Sequence, residues 1–331
     1  MKISVDGGSL CSGQDSQFGN YTFSKNLIRA LSLYDQKNDY TVYTFCDLKK
    51  NLGKNFSVKT LQPKFFWSKV RVGIEEFMNK KNVYLALNQS IPMATYSKVI
   101  GFSHGLSFKF YPGLYRNYSR LNDQLEELIY DSDKIVVSSQ RVMEELLEID
   151  DRIAKKIHVL PFGIPFDMEP FGKKRRRENY FLHVAADHPI KNTEFIIKAF
   201  KILRHTNKFK DYKLYLVGYS GKSENGNIRA VPFASRKVLK DLYRKASLTL
   251  TTSFYESFNL PVLESLSQGT PVVGLRESIV PELRSYVRLA DDINDFVELV
   301  KKTSGNSFHI KKEFQNRFSW KKYVEKLIEL Y

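Results

Sequence analysis

Two doubly wound α/β domains in tandem are predicted by an alternation, a break and a restart. Short β-branched and aromatic runs alternate with longer segments of helical period, the pattern of parallel strands with helices on their faces. A Pro/Gly-containing stretch from Pro161 to Gly172, followed by the basic run Lys173 to Arg177, interrupts that rhythm and reads as a linker. The alternation then resumes, and 331 residues suffice for two cores of ordinary size.

In the first half, strands are expected near Ile3–Val5, Tyr40–Phe45, Val83–Ala86, Val99–Phe102, Ile135–Val137 and Ile157–Leu160. A helix with Phe23, Leu27, Ala30 and Leu31 on one face follows the first strand, and another runs through Leu121 to Ile129. In the second half, strands are expected at Tyr180–Val184, Lys213–Val217, Leu248–Thr251 and Pro271–Val273. Helices are expected at Thr193–Leu203, with Ile196, Ala199, Phe200 and Leu203 inward, at Ser235–Lys245 and at Pro261–Gln268.

Composition narrows the class. Hydrophobic residues at 42% and charged residues at 27% are globular values rather than those of a disordered chain. Two cysteines, Cys11 and Cys46, are too few for a disulfide framework and lack zinc-site spacing, so separate thiols in a reducing cytoplasm are expected. No apolar run reaches the roughly 20 residues that cross a bilayer, and the N-terminus lacks the pattern of a signal peptide. A net charge of +16 favours polyanions: nucleic acid, anionic lipid or phosphorylated small molecules. No helix-turn-helix, zinc-finger or aromatic RNA-binding pattern accompanies that charge, which argues against nucleic acid. The acidic pairs Asp131/Asp133 and Asp291/Asp292 read as surface features rather than a metal site.

The chemistry is concentrated between Ser253 and Val273, where a strand runs into a loop and then a helix. Pro261 suits the first turn of that helix and Gly269 its end, placing Glu264 in its early turns and Glu256 in the loop before it. The amides of Ser257, Phe258, Asn259 and Leu260 then lie at a positive helix end, where a diphosphate is held favourably. A second segment, Val184 to Asn192, is a strand and loop leading into the Thr193 helix and carries Lys191, a point charge suited to a phosphate. Glu264 alone is explained equally well by the helix dipole, and Lys191 alone by solvation.

Together these segments change the odds. Glu256, seven intervening residues and Glu264, with Phe258, Leu260-Pro261 and Thr270-Pro271-Val272-Val273 at these offsets, closely resemble the E-x7-E signature of retaining GT-B glycosyltransferases of the large family four. The resemblance covers nearly the whole chain and is strongest from Tyr180 to Glu282. It implies two Rossmann-like domains facing a central cleft: an acceptor-side domain over 1–165, on which a closing helix at 319–331 packs, and a donor-binding domain over 166–318. It implies a nucleotide-diphosphate sugar as donor substrate, no cofactor and no metal.

The resemblance also assigns roles. Glu264 would bond the ribose hydroxyls, Glu256 the donor sugar, and Lys191 the diphosphate. In the first domain Gly19, just before helix one, would approach the donor phosphates, and His104, at the end of a strand, would reach the transferred sugar. That first Gly-rich loop lacks G-x-G-x-x-G spacing, which argues against a dehydrogenase.

The chain departs from the family in three places. Ser257 and Asn259 stand where glycines are usual, so their side chains are expected to narrow the sugar pocket. Ala185-Ala186 replaces Gly-Arg, leaving Lys191 alone or with a second cation such as Arg236 or His188. The acceptor, a glycan or lipid-linked molecule, is not specified. Lys64 to Lys81, with Phe66, Val70, Ile74 and Phe77 at helical spacing, is an amphipathic stretch that either packs on its own sheet or lies on an anionic membrane. Peripheral association with the inner face of a membrane is therefore one expectation, and a nucleotide-sugar epimerase of the same architecture is the competing activity.

Overall fold

The computed structural model describes residues 1–13, 19–48, 52–170, 176–221 and 226–331. The chain divides into two compact units: unit 1 comprises Met1–Gly163 with Phe318–Tyr331, and unit 2 comprises Ile164–Arg317.

Unit 1 is built on seven strands: β1 (Lys2–Asp6), β2 (Asp39–Thr44), β3 (Phe56–Thr60), β4 (Val83–Ala86), β5 (Lys98–Ser103), β6 (Lys134–Val137) and β7 (Ile157–Val159). All pairings are parallel and the order is β3-β2-β1-β4-β5-β6-β7. Its helices are α1 (Gly19–Tyr34), α2 (Val72–Met78), α3 (Ser107–Phe110), α4 (Tyr118–Asp131) and α5 (Gln140–Ile149). Strands buried on both faces need apolar residues on both, and β4, Val-Tyr-Leu-Ala, is buried throughout. The C-terminal helix Trp320–Ile328 returns to this unit, where Trp320 and Tyr323 meet Phe23 of α1 at ring-centroid distances of 6.1 and 6.2 Å.

Unit 2 carries β8 (Glu178–Val184), β9 (Lys213–Val217), β10 (Ile228–Val231), β11 (Ala246–Thr251), β12 (Val272–Leu275) and β13 (Arg288–Ala290). They too are all parallel, ordered β10-β9-β8-β11-β12-β13. The helices are α6 (Thr193–Arg204), α7 (Arg236–Lys245), α8 (Leu260–Ser267), α9 (Pro281–Arg284), α10 (Ile293–Thr303) and α11 (Lys312–Arg317). The inward face expected for α6 is the buried one, Ile196, Ala199, Phe200 and Leu203. Each large member of that set contributes about 1.5–3 kcal/mol by leaving water. Gly218, after β9, has φ +85°, and a Cβ there would stand 2.0 Å from the Ala185 carbonyl oxygen, so only glycine lets that loop lie against the end of β8.

Three strands escape the sequence reading: β3, β10 and β13. All are short, and each lies at an edge of its sheet with one neighbour, where polar side chains such as Lys59 and Arg229 interrupt the apolar pattern.

One expectation is corrected. Cys11 and Cys46 are not separate thiols: a disulfide joins them, with Cα atoms 5.7 Å apart. Because β1 and β2 are parallel neighbours, the segments that follow them leave the same sheet edge and bring together residues 35 apart in sequence. The cysteine count therefore carries no weight for a reducing compartment. Most of the basic run, Lys173 to Arg175, lies outside the described residues, and Arg177 is half-buried. Its guanidinium donates to the Arg244 carbonyl at 2.8 Å, and to the Gly269 carbonyl and the Thr270 hydroxyl. It thus closes the C-terminal ends of α7 and α8, where unpaired carbonyls favour a cation. The acidic pairs are local too: Asp133 accepts from the Val99 amide at 2.7 Å, Asp291 pairs with Arg276, and Asp292 caps α10.

At the centre of unit 2, His183 of β8 donates from Nδ1 to the Leu250 carbonyl of β11 at 3.0 Å, while its Nε2 has no hydrogen-bond partner among the described residues. Burial pushes its pKa from 6.5 down to about 4, with Lys191 adding to the shift and the Leu250 bond and Glu256 opposing it. Between those values the unfolded chain holds a proton that the folded chain does not, so stability falls as pH drops through that window. Denaturant unfolding at about pH 7 and about pH 4.5 should show a loss on the order of 2–3 kcal/mol. His183→Asn, which keeps a donor for Leu250 but cannot titrate, should flatten that slope; an unchanged slope would assign it elsewhere.

Candidate functional site

Doubly wound sheets bind ligands where the strand order reverses, because loops from neighbouring strands diverge there at the carboxyl edge. In unit 2 the reversal lies between β8 and β11. The loop after β8 ends in Lys191 and the loop after β11 contains Glu256, so the two residues singled out from separate segments leave adjacent strands.

The structure brings them into contact. Lys191 Nζ donates to Glu256 Oε1 at 2.8 Å, and Ser253 Oγ donates to the same oxygen at 2.7 Å. Both side chains of the ion pair are largely sheltered, 21% and 13% exposed, so the attraction is less screened than at an open surface. The loops are also tied through their backbones: the Phe254 amide donates to the Ile190 carbonyl at 2.9 Å, and the Thr252 hydroxyl to the Asn192 carbonyl at 3.0 Å. Lys191 closes a short 3-10 turn that His188 caps, its Nδ1 accepting from the Ile190 amide at 3.2 Å. Asn192 follows at φ 50°, ψ 44°, a left-handed conformation that asparagine tolerates, and turns the chain into α6.

The Glu256 loop runs into α8, with Pro261 in its first turn. Asn259, at φ 65°, is likewise left-handed, which accounts for a residue of small steric demand there. Its side chain does not narrow a pocket. Nδ2 donates to Thr251 Oγ1 at 3.0 Å and to the Ser278 carbonyl at 2.9 Å, while Oδ1 accepts from the Val262 amide at 3.3 Å, so it caps α8 from within. Phe258 is a buried core side chain, while Ser257 and Leu260 are half-buried.

Glu264, nearly fully buried in α8, accepts from Arg236 Nη2 at 2.7 Å, and the same guanidinium forms a two-point contact with Asp167 at 2.8 and 3.0 Å. Burial works against the charge on Arg236, but Glu264 and Asp167 outweigh it and hold the pKa above its ordinary value. Of the two residues considered as a second phosphate cation, Arg236 is therefore committed to two carboxylates and His188 to a turn. Lys191 is the cation presented beside Glu256.

The remaining candidates belong to unit 1. His104 follows β5; its Nε2 donates to the Leu87 carbonyl at 2.5 Å, and its ring meets Phe23 edge-on at 5.1 Å. Burial pushes its pKa below the usual histidine value, partly offset by the Leu87 bond, which favours the neutral imidazole. Gly19 is the exposed first residue of α1, and a Cβ there would meet nothing within 4 Å, so protein packing does not demand a glycine.

Three residues with notable contacts were not singled out in the sequence. Asp167 and Ser253 stand in no pattern of their own and are recognisable only by their contacts. Asp6 ends β1 at the reversal point of the first sheet, where its carboxylate accepts from the Gly8 amide and from Asn88, both at 2.9 Å. Burial raises its pKa against those bonds. Its signal was an aspartate at a strand's carboxyl end followed by two glycines.

The chain is similar in sequence and fold to known proteins. Residues 167–285 match the family model described as glycosyl transferases group 1. The chain is 31% identical over 130 residues to the O-antigen chain mannosyltransferase B of Escherichia coli, covering 36% of this chain and 34% of that one. It is 25% identical over 252 residues to the O-antigen chain mannosyltransferase RfbU of Salmonella typhimurium, covering 72% and 69%. The chain thus spans about a third of the first relative's length and somewhat over two thirds of the second's. Its fold resembles that of a sucrose-phosphate synthase from Thermosynechococcus elongatus, with a TM-score of 0.70 at 16% identity over 100% of this chain and 98% of that one. Residues 167–285 thus match the glycosyl transferases group 1 family model, and the chain has the two Rossmann-like domains of the GT-B fold.

Proposed function

We propose that this protein transfers a hexose from a nucleotide-diphosphate sugar to an acceptor hydroxyl, with retention of anomeric configuration, in the synthesis of a glycan or glycolipid. The observation that carries the reading is the Lys191–Glu256 contact at the strand reversal of unit 2, beside the amino end of α8. Departure of a sugar from a diphosphate builds positive charge on the sugar and negative charge on the leaving phosphate. Lys191 and the loop amides from Ser257 to Leu260 are suited to the phosphate, and their effect grows as its charge develops, which is what lowers a barrier. The reading needs no metal and no cofactor, because the lysine and the amides supply that stabilisation.

Glu256 has two duties in this reading. In the free protein it neutralises Lys191; with donor bound, its oxygens turn to the sugar hydroxyls while the ammonium engages the diphosphate. Glu264, held in place by Arg236, accepts from the ribose hydroxyls. His104 and Gly19 of unit 1 are assigned to the transferred sugar and the phosphates, and the leaving phosphate takes the proton of the acceptor hydroxyl on the same face. The named activities of the two bacterial relatives support a mannosyl donor as the first to test.

A thermal-shift series with UDP-, GDP-, ADP- and TDP-linked sugars tests donor binding, because a ligand that binds only the folded state raises its stability. Chromatography of the products then separates transfer from isomerisation, the competing activity. Lys191→Ala and Glu256→Ala should each lower the transfer rate by about 10²–10³ while leaving the unfolding midpoint near that of the unmodified protein. Turnover at the original rate in either variant would remove the pair from the site. Arg236→Lys, which keeps a charge but loses the two-point fork, should weaken donor binding about tenfold with little change in kcat. A loss confined to kcat would instead place Arg236 at the reacting centre.

A further inference from the structure

The return from β2 to β3 runs over residues 45–55, shorter than the roughly dozen residues or more that a parallel crossover usually takes. It passes beside α1 and is pinned at two points. At one, the Cys11–Cys46 disulfide fastens it to the turn Gly8–Cys11 that follows β1. At the other, Gly53, at φ +137°, comes so close to α1 that a Cβ there would stand 2.3 Å from the Ser32 hydroxyl oxygen, an approach that glycine permits.

Between the two pins the walls stand apart and leave a cleft of about 930 Å³. That is the size of a site for one small organic molecule. Leu10, Leu48 and Leu52 line it from the loops and Ile28 and Leu33 from α1, with Leu33 51% exposed. A protein interior ordinarily closes on leucines such as these until little space remains. Here the pins hold the walls apart, so their apolar surface stays open to an incoming molecule.

The charges of the cleft indicate what that molecule carries. Lys25 and Arg29, one helical turn apart on α1, and Lys54 on the return line it, against the carboxylate of Asp47 among the described residues. An excess of cations favours an anion, and a guanidinium is shaped for a carboxylate or a phosphate. Leucines and cations in one cleft match an apolar body that bears an anionic group. We propose that this cleft of unit 1 binds a small amphiphilic anion, an aliphatic chain ending in a carboxylate or a phosphate monoester. Its residues are separate from Lys191, Glu256 and Glu264, which belong to unit 2.

Calorimetric titration of the full-length chain with octyl phosphate and with octanoate, each below its micellar concentration, tests the proposal and separates the two head groups. At least one is expected to bind about tenfold or more tightly than octanol or inorganic phosphate, since each control lacks half of the match. Arg29→Glu with Lys54→Glu, both at exposed positions, should weaken the anion about tenfold, leave octanol unchanged and keep the unfolding midpoint. Leu33→Glu should weaken the anion and octanol alike. A Lys191→Ala chain should bind the anion as the unmodified chain does. No binding of either anion, inorganic phosphate binding as tightly as octyl phosphate, or charge variants that bind like the original would overturn the proposal. So would loss of binding in Lys191→Ala, which would move the anion to unit 2. A dimer that Leu33→Glu dissolves, with neither anion bound, would overturn it as well, because a second copy would then fill the cleft. None of these measurements involves sugar transfer, so their outcome is independent of the proposed reaction.

Discussion

Parallel pairing of β8 with β11 forces two loops from distant parts of the sequence to leave one edge of the sheet side by side. Without it, Lys191 and Glu256, 65 residues apart, have no reason to meet. The pairing is secured in depth: the strands exchange backbone bonds, and His183 reaches across to Leu250. Above the sheet, the Ile190 carbonyl and the Asn192 carbonyl each accept from the opposing loop. The ion pair is the sheltered tip of that stack, so its geometry is inherited from a buried seam rather than maintained by two flexible side chains.

The same seam explains the asparagines. Each loop must reverse direction sharply before its helix begins, and each does so through a left-handed residue, Asn192 before α6 and Asn259 before α8. At 259 the side chain then turns inward to cap the helix, so a side chain expected to narrow a pocket instead ties α8 to β11. The arginine at 236 works in the same spirit, clamping Glu264 against Asp167 so that a buried carboxylate keeps both its charge partner and its orientation.

Unit 1 applies buried carboxylates to a different end. Glu75 and Glu76 hold α2 with its polar side inward, at the cost of leaving Ile74, Phe77 and Met78 in water. That arrangement contrasts with α6 in unit 2, where the periodic apolar face is the buried one, as its sequence indicates. The two helices have similar apolar spacing and opposite orientations because only one of them has inward partners for its charges.

Sequence by itself determined the class of fold and singled out Lys191, Glu256 and Glu264 as candidate residues of the second unit. Strand and helix periods repeat at short range, and the Glu256–Glu264 spacing and Lys191 sit on local patterns that need no partner to be recognised. Tertiary structure alone decided where those residues met, that Asn259 faced inward, that Cys11 met Cys46 and that α2 was reversed. Each of those depends on groups tens of residues away, Thr251 and Ser278 in one case, the β1–β2 neighbourhood in another, Tyr43, Thr95 and Ser97 in the last. Periodicity records which side of a helix is apolar. Which side is buried depends on the partners the rest of the chain offers.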